Sequence, residues 1–243
     1  MIPPDHPRYR SLVARERIAE CARSGVVSLE GIAAHGRGEA FDYLLGEKTT
    51  ESALIAEKTA AAFLTSAKNP VISVNGNTAA LAAGLIRDLQ HATGAKVEVN
   101  LFHRTEERIS LITRLLEDEG VLVLEGSAER LLPLSHDRAL CLRHGIFESD
   151  VILVPLEDGD RCQALRSMGK VVITIDLNPL SRTSRAASLP IVDELTRALP
   201  QIARFSRELP GEDAKKLIRE CDNNRFLRSA LQEMEANLFH ALD

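Results

Sequence analysis

The chain has 243 residues, 44% hydrophobic and 27% charged, which is long and apolar enough to bury a core without disulfides or a structural metal. Disorder, collagen and a simple coiled coil are excluded as descriptions of the whole. A net charge of −5, with 4% aromatic residues and no Trp, argues against a general nucleic-acid binder, which needs a basic surplus and stacking platforms.

Residues 7–45 read as helices broken by turns, with Leu12, Val13, Ile18 and Ala19 on one face and Gly25 and Gly31 as punctuation. Within them HGRGEAFDYLLGEKT reads as a polar, Gly-rich connection. Residues 50–67 form an Ala-rich helix that Pro70 ends. Val71–Val74 is a short β-branched run expected as a buried strand, and Asn75-Gly76-Asn77 follows as a turn. A helix covers 78–92 and stops at Gly94. Lys96–Leu101 is a second strand, 105–118 a helix, and Val121–Leu124 a third strand. Val151–Pro155 is a fourth strand, Glu157–Asp160 opens a helix to about Ser167, and Val171–Ile175 is a fifth strand. Pro190–Val192 is a short sixth, after which Asp193 caps a helix over 194–206. The charged tail 211–243 is helical, with Leu227, Leu231, Met234 and Leu238 on one stripe that docks on its own domain.

Strands alternating with helices predict a mostly parallel α/β sheet in a single domain. It comprises a helical segment over 1–67, the core over 68–207 and a helical tail over 208–243. Cys21, Cys141, Cys162 and Cys221 form no CxxC pair and read as free thiols of a reducing compartment. The N-terminus MIPPDHPRYR has no apolar signal core, and no run approaches the ~18 apolar residues that span a bilayer. The expectation is therefore a cytoplasmic protein with no membrane partner.

In such sheets ligands sit outside the carboxyl ends of the strands. Four groups of residues follow strands here. Asn75 and Asn77 flank Gly76 in a segment that is either a plain tight turn or a phosphate site at a helix start; it is neither a Walker loop nor GxGxxG. His103 and Arg104 either fork onto a phosphate or stand at a solvated helix start. Glu157, Asp158 and Asp160 suit a hard cation such as Mg2+, and equally suit a helix N-terminus. Asp176, in DLNPLSRTS, can accept from a ribose hydroxyl, with Arg182 and Thr183 beyond it. Arg37, between two glycines, is a further exposed guanidinium.

The segments HPRY, GRGEAFDYLLGE, PVISVNGNTAAL, VEVNLFHRTEER, VPLEDGDR and TIDLNPLSRTS together resemble one family, in order, from about residue 2 to 207. It is the archaeal-type phosphopantothenate synthetases, or 4-phosphopantoate–β-alanine ligases. The tail beyond about 210 adds nothing to the likeness. The resemblance implies a Rossmann-like homodimeric ligase of coenzyme A biosynthesis. Such an enzyme joins 4-phosphopantoate and β-alanine at the expense of ATP, through an acyl adenylate, with release of AMP and diphosphate, Mg2+ assisting. Carried over by motif, Arg15 and Arg37 look like ATP-phosphate contacts, and Asp176, Leu177 and Asn178 like nucleoside contacts. Arg182 and Thr183 look like further ATP contacts, and Glu194 and Leu195 present helix amides. Glu194 departs from the family's more usual Asn, a change that a backbone contact tolerates. Asn75, Asn77, His103 and Arg104 are assigned to phosphopantoate, with Arg37, His103 and Arg104 as the catalytic cations; β-alanine has no assigned residues. The alternatives are a nicotinamide-dependent oxidoreductase, which lacks its GxGxxG fingerprint here, and a non-catalytic nucleotide sensor. Diphosphate release that requires both substrates separates the ligase from both.

Overall fold

Five short strands pair side by side; four are aliphatic runs apolar on both faces that cannot face water on either, and the edge strand, Lys96–Val99, is apolar on one face only. They are β1 (Pro70–Val74), β2 (Lys96–Val99), β5 (Val151–Leu153), β6 (Val171–Ile175) and β7 (Leu189–Ile191). A two-residue antiparallel pair, β3 (Glu129–Arg130) with β4 (Leu140–Cys141), stands apart from them. The computed structural model describes residues 2–156 and 158–241. All pairings in the main sheet are parallel, in the order β2-β1-β5-β6-β7. The chain leaves β1 for one edge at β2, then returns to the other side of β1 at β5. The place where the order reverses therefore lies between β1 and β5, at the centre of the sheet.

Side chains alternate across the sheet as the pleat demands. Ile72, Val74, Leu153, Ile173, Ile175, Leu189 and Ile191 point to one core. It is covered by α1 (Tyr9–Arg23), α3 (Glu51–Ser66), α4 (Gly76–Thr93), α5 (Glu106–Asp118) and α8 (Leu195–Glu208). Val71, Ile152, Val154 and Val172 point to a second core, closed by residues 131–147, α6 (Gly159–Ser167) and the end of α7 (Arg182–Ala186). A third cluster joins α2 (Leu29–Leu45) to α10 (Asn223–Phe239): Leu45 packs with Leu177, Val192, Leu227, Ala230 and Met234. The remaining helix, α9 (Gly211–Arg219), packs beside α3.

Several local expectations are revised. The Gly-rich connection around Arg37 is the middle of α2. Ser28 caps that helix by accepting from Gly31 N, and Gly46 ends it at φ 82°, so capping at both ends offsets the roughly 1 kcal/mol that an interior glycine costs. Asn75-Gly76-Asn77 is the N-cap and first turn of α4 rather than a free turn. Val121–Leu124 forms no strand; a single bridge, Val97 to Val123, is all that joins it to the sheet. Glu194, not Asp193, caps α8. On α10 the stripe divides: Leu227 and Met234 are buried, whereas Leu231 and Leu238 stay in solvent. Among the described residues no helix is long and apolar enough to cross a membrane.

Candidate active site

A cleft of about 830 Å³ opens at the carboxyl ends of β1, β5, β6 and β7, over the reversal point. Its floor is made by strand exits. At the end of β5, Leu156 takes a left-handed backbone (φ 53°), a conformation that costs a non-glycine residue about 1–2 kcal/mol. Asn75 holds it there: the side-chain Nδ2 donates to the Pro155 and Leu156 carbonyls at 3.1 and 3.0 Å, while Oδ1 accepts from Thr78 N at 3.0 Å. The whole Asn75 amide is thus spent inside the fold, and Asn75 does not line the cleft. Asn77, one turn into α4, does line it, with Nδ2 donating to the Gly31 carbonyl at 2.8 Å.

At the exit of β6, Asp176 folds its own turn. One carboxylate oxygen accepts from Asn178 N at 2.9 Å and the other from Ser181 Oγ at 2.6 Å. Burial pushes this carboxyl above the usual range, and the Ser181 and Asn178 donors and the Arg37 charge pull the other way. Leu177 turns its side chain into the cluster beneath α10, so the segment is pinned from both sides. Gly159 sits where an added Cβ would lie 2.4 Å from Arg182 Cβ; only glycine lets α6 come this close to α7.

Beyond β7, Asp193 is buried. Its carboxylate accepts from Thr49 Oγ1 at 2.6 Å and Arg197 Nε at 2.8 Å, and Arg197 forks onto Asp42 of α2 at 3.0 and 2.6 Å. Glu194 Oε2 accepts from the Thr196 and Arg197 amides at 2.7 and 3.2 Å, so the first free amides of α8 are already capped by the chain itself. Burial also raises the Glu194 carboxyl.

The walls carry the cations. Arg37 is exposed on α2 and makes no ion pair or hydrogen bond with the described residues, although its charge is felt at Asp176. Arg10, on the neighbouring helix α1, lines the cleft in the same unpaired state. Arg182 pairs with Asp160. Of the expected site residues, the structure brings Arg37, Asn77, Asp176, Leu177, Asn178, Arg182, Thr183, Glu194 and Leu195 into one cleft. Arg15 is not in its lining; on α1 it pairs with Glu39 at 2.9 Å and donates to Tyr43 Oη at 3.2 Å. His103 and Arg104 also lie outside, past the end of edge strand β2. There His103 stands edge-on to Phe102, and the Arg104 amide donates to Asp137. In the acidic group, Asp158 lines the cleft and pairs with Arg138 at 3.1 Å, Asp160 holds Arg182, and Glu157 falls outside the described residues. Among the described residues no three His, Cys, Asp or Glu side chains gather as a metal cage.

Sequence reasoning passed over the front wall, formed by Pro4, His6, Arg8, Tyr9 and Ser11, and also His35, Asp42 and Arg197. The HPRY and GRGEAFDY segments contain half of them, but nothing local in those segments says that they face a cleft.

Comparison with known proteins gives the family. The model of the phosphopantothenate/pantothenate synthetase family matches residues 52–237. The chain belongs to this family. A 4-phosphopantoate–β-alanine ligase of Methanospirillum hungatei is 59% identical over the whole of both chains. Ligases of the same description from Methanosarcina mazei and Thermococcus kodakarensis are 54% and 46% identical over 98% of this chain and 95% and 93% of theirs. The synthetase family match runs into α10, so the tail is part of the shared architecture, contrary to the expectation that it adds nothing.

Proposed function

We propose that this synthetase condenses 4-phosphopantoate with β-alanine to 4'-phosphopantothenate, with ATP converted to AMP and diphosphate. The observation that carries the reading is the cleft at the sheet's reversal point, with a self-folded Asp176–Asn178 turn on its floor and unpaired Arg10 and Arg37 on its walls. The names of relatives 46–59% identical support the substrates.

A carboxylate resists an amine because oxide would have to leave. Attack of the phosphopantoate carboxylate on the α-phosphate of ATP forms a C–O–P bond and expels diphosphate. AMP is then a competent leaving group. Two polyanions must meet, so their repulsion has to be offset by cations fixed beforehand. Arg37 and Arg182 serve the nucleotide phosphates. Asp176, Leu177 and Asn178 receive the nucleoside, and Thr183, Glu194 and Leu195 border it. Arg10 and Arg37 take the role at the pantoate phosphate that sequence reasoning gave to His103 and Arg104, with Asn77 beside them. Mg2+ would be held on the ATP phosphates and would offset their charge. The enzyme works as a cytoplasmic homodimer, for which the uncovered α2 face of Leu29, Ala33, Gly36 and Ala40 offers a close-packing surface.

Product analysis with ATP, phosphopantoate and β-alanine tests this. AMP and diphosphate are expected, dependent on both substrates. Free pantoate should be poorly used, because the phosphate-binding cations are then left unpaired at ~1–3 kcal/mol each. ADP with orthophosphate, or equal use of pantoate, refutes the mechanism.

A further inference from the structure

The second half-reaction sets a proton problem. β-Alanine carries an ammonium group with a pKa near that of lysine, so at neutral pH roughly one molecule in a thousand or fewer holds the free amine that can attack. A base in the cleft is needed, with a vacant lone pair and a pKa near the working pH.

The lining acids are already engaged. Glu39 accepts from Ser11 and Arg15, Asp42 from Arg197, and Asp158 from Arg138. Asp176 accepts from Ser181 and Asn178, Asp193 from Thr49 and Arg197, and Glu194 from Thr196 and Arg197. Glu47 faces the Arg8 guanidinium at 3.9 Å. His6 Nδ1 accepts from Arg8 N at 3.0 Å, which puts the proton of its neutral ring on Nε2 and leaves no free lone pair.

His35 differs from all of these. It lines the cleft from α2, and its Nε2 is buried with no hydrogen-bond partner among the described residues. A buried ring nitrogen left without a partner is uncommon and calls for a reason. The charged groups that face it are Glu39, one turn along α2, and Arg15 from α1. Burial pushes its pKa below the usual 6.5, Glu39 opposes that shift and Arg15 adds to it, so the ring is neutral at pH 7.

We propose that His35 is the general base of the amide-forming half-reaction, a reading that rests on the adenylate mechanism above. The ammonium of the ω-amino acid gives one proton to the imidazole. The freed nitrogen lone pair attacks the acyl carbon and the C–N bond forms. The bond from that carbon to the phosphate oxygen breaks, and AMP leaves with the electron pair. The second N–H proton passes to water as the amide forms, and the imidazolium then returns its proton to solvent. Because Nε2 is buried, the ring keeps its remaining proton there and offers the Nδ1 lone pair to the substrate.

The test separates the two half-reactions in the full-length protein. His35→Asn and His35→Gln are assayed for phosphopantoate-dependent exchange of labelled diphosphate into ATP, and for ligation. Exchange within about twofold of wild type is expected, with kcat for β-alanine down by about 100-fold or more. The loss should shrink tenfold per pH unit as pH rises toward the amine's own pKa. Hydroxylamine, largely unprotonated at neutral pH, should trap the adenylate equally well in variant and wild type, and added imidazole should partly restore ligation in His35→Ala. Normal ligation by either variant overturns the proposal. So does a parallel loss of exchange, trapping and ligation, which marks a structural or nucleotide-binding role. Absence of exchange in the wild type defeats the adenylate reading itself, and the role of His35 falls with it.

Discussion

Replacing Glu57 by Gln should change how stability depends on pH, by an amount the structure sets. Glu57 lies on α3, fully buried, with the Asp193 carboxylate as a polar neighbour. Burial, with the Asp193 charge adding to it, pushes its pKa from 4.5 up to about 9. Between those values the folded chain holds a proton that the unfolded chain has released. The stability that Glu57 contributes is therefore fully present below pH 4.5 and is lost as pH rises toward 9, at about 1.4 kcal/mol per unit for one proton. Glutamine has the shape of the protonated acid and no proton to lose. The difference in unfolding free energy between Glu57→Gln and wild type should thus grow in the variant's favour by about 3–4 kcal/mol between pH 5 and pH 8. Urea denaturation of both proteins at several pH values measures it, and the buried acids that do not face Glu57 cancel in the comparison. Parallel stability–pH curves would refute the reasoning, because they would mean that Glu57 ionises alike in both states.

Arg37→Ala should melt as wild type does, since Arg37 is exposed and unpaired on α2, and should lose ligation by ~2–3 kcal/mol of transition-state stabilisation, about 30- to 150-fold. A fully active variant would reduce Arg37 to a helix-surface residue. Asn75→Ala should cost ~2–3 kcal/mol in denaturant unfolding, because it removes the α4 cap and frees two carbonyls at the strained Leu156; a loss under ~0.5 kcal/mol contradicts that role. Gly159→Ala should weaken ATP binding in calorimetry, as the new methyl pushes α7 and Arg182 away from the cleft floor; unchanged affinity would mean that the nucleotide does not use that floor.

The sheet was legible because most of its strands are short aliphatic runs bounded by turn residues, and burial on both faces leaves such runs few alternatives. Val121–Leu124 has the same composition but reaches only the edge strand, where a single bridge forms and Leu122 is 76% exposed. In α2, the two glycines around Arg37 outweighed the quieter signals of Ser28 and Gly46 at its ends. That Asp176, Asn178 and Arg182 share one cleft could be read because they are close in sequence. Strand exits share one edge, but sequence does not say how far apart they stand on it. His103 and Arg104 follow the outermost strand, and the cleft lies past β1. The Asp42–Arg197 and Thr49–Asp193 bonds join residues about 150 positions apart, beyond the reach of any local pattern.

Leu177, in the turn proposed for the nucleoside, rests on Leu227, Ala230 and Met234. Asn223 of the same helix ties down the end of α7 through the Ser184 and Ala187 carbonyls, and Asn237 ties down the end of α2. During synthesis, then, every residue proposed to hold ATP leaves the ribosome before the helix that steadies them exists. The nascent chain should gain affinity for nucleotide only once residues 223–239 have emerged and docked, so ATP capture would act as a check that translation has run through to this helix.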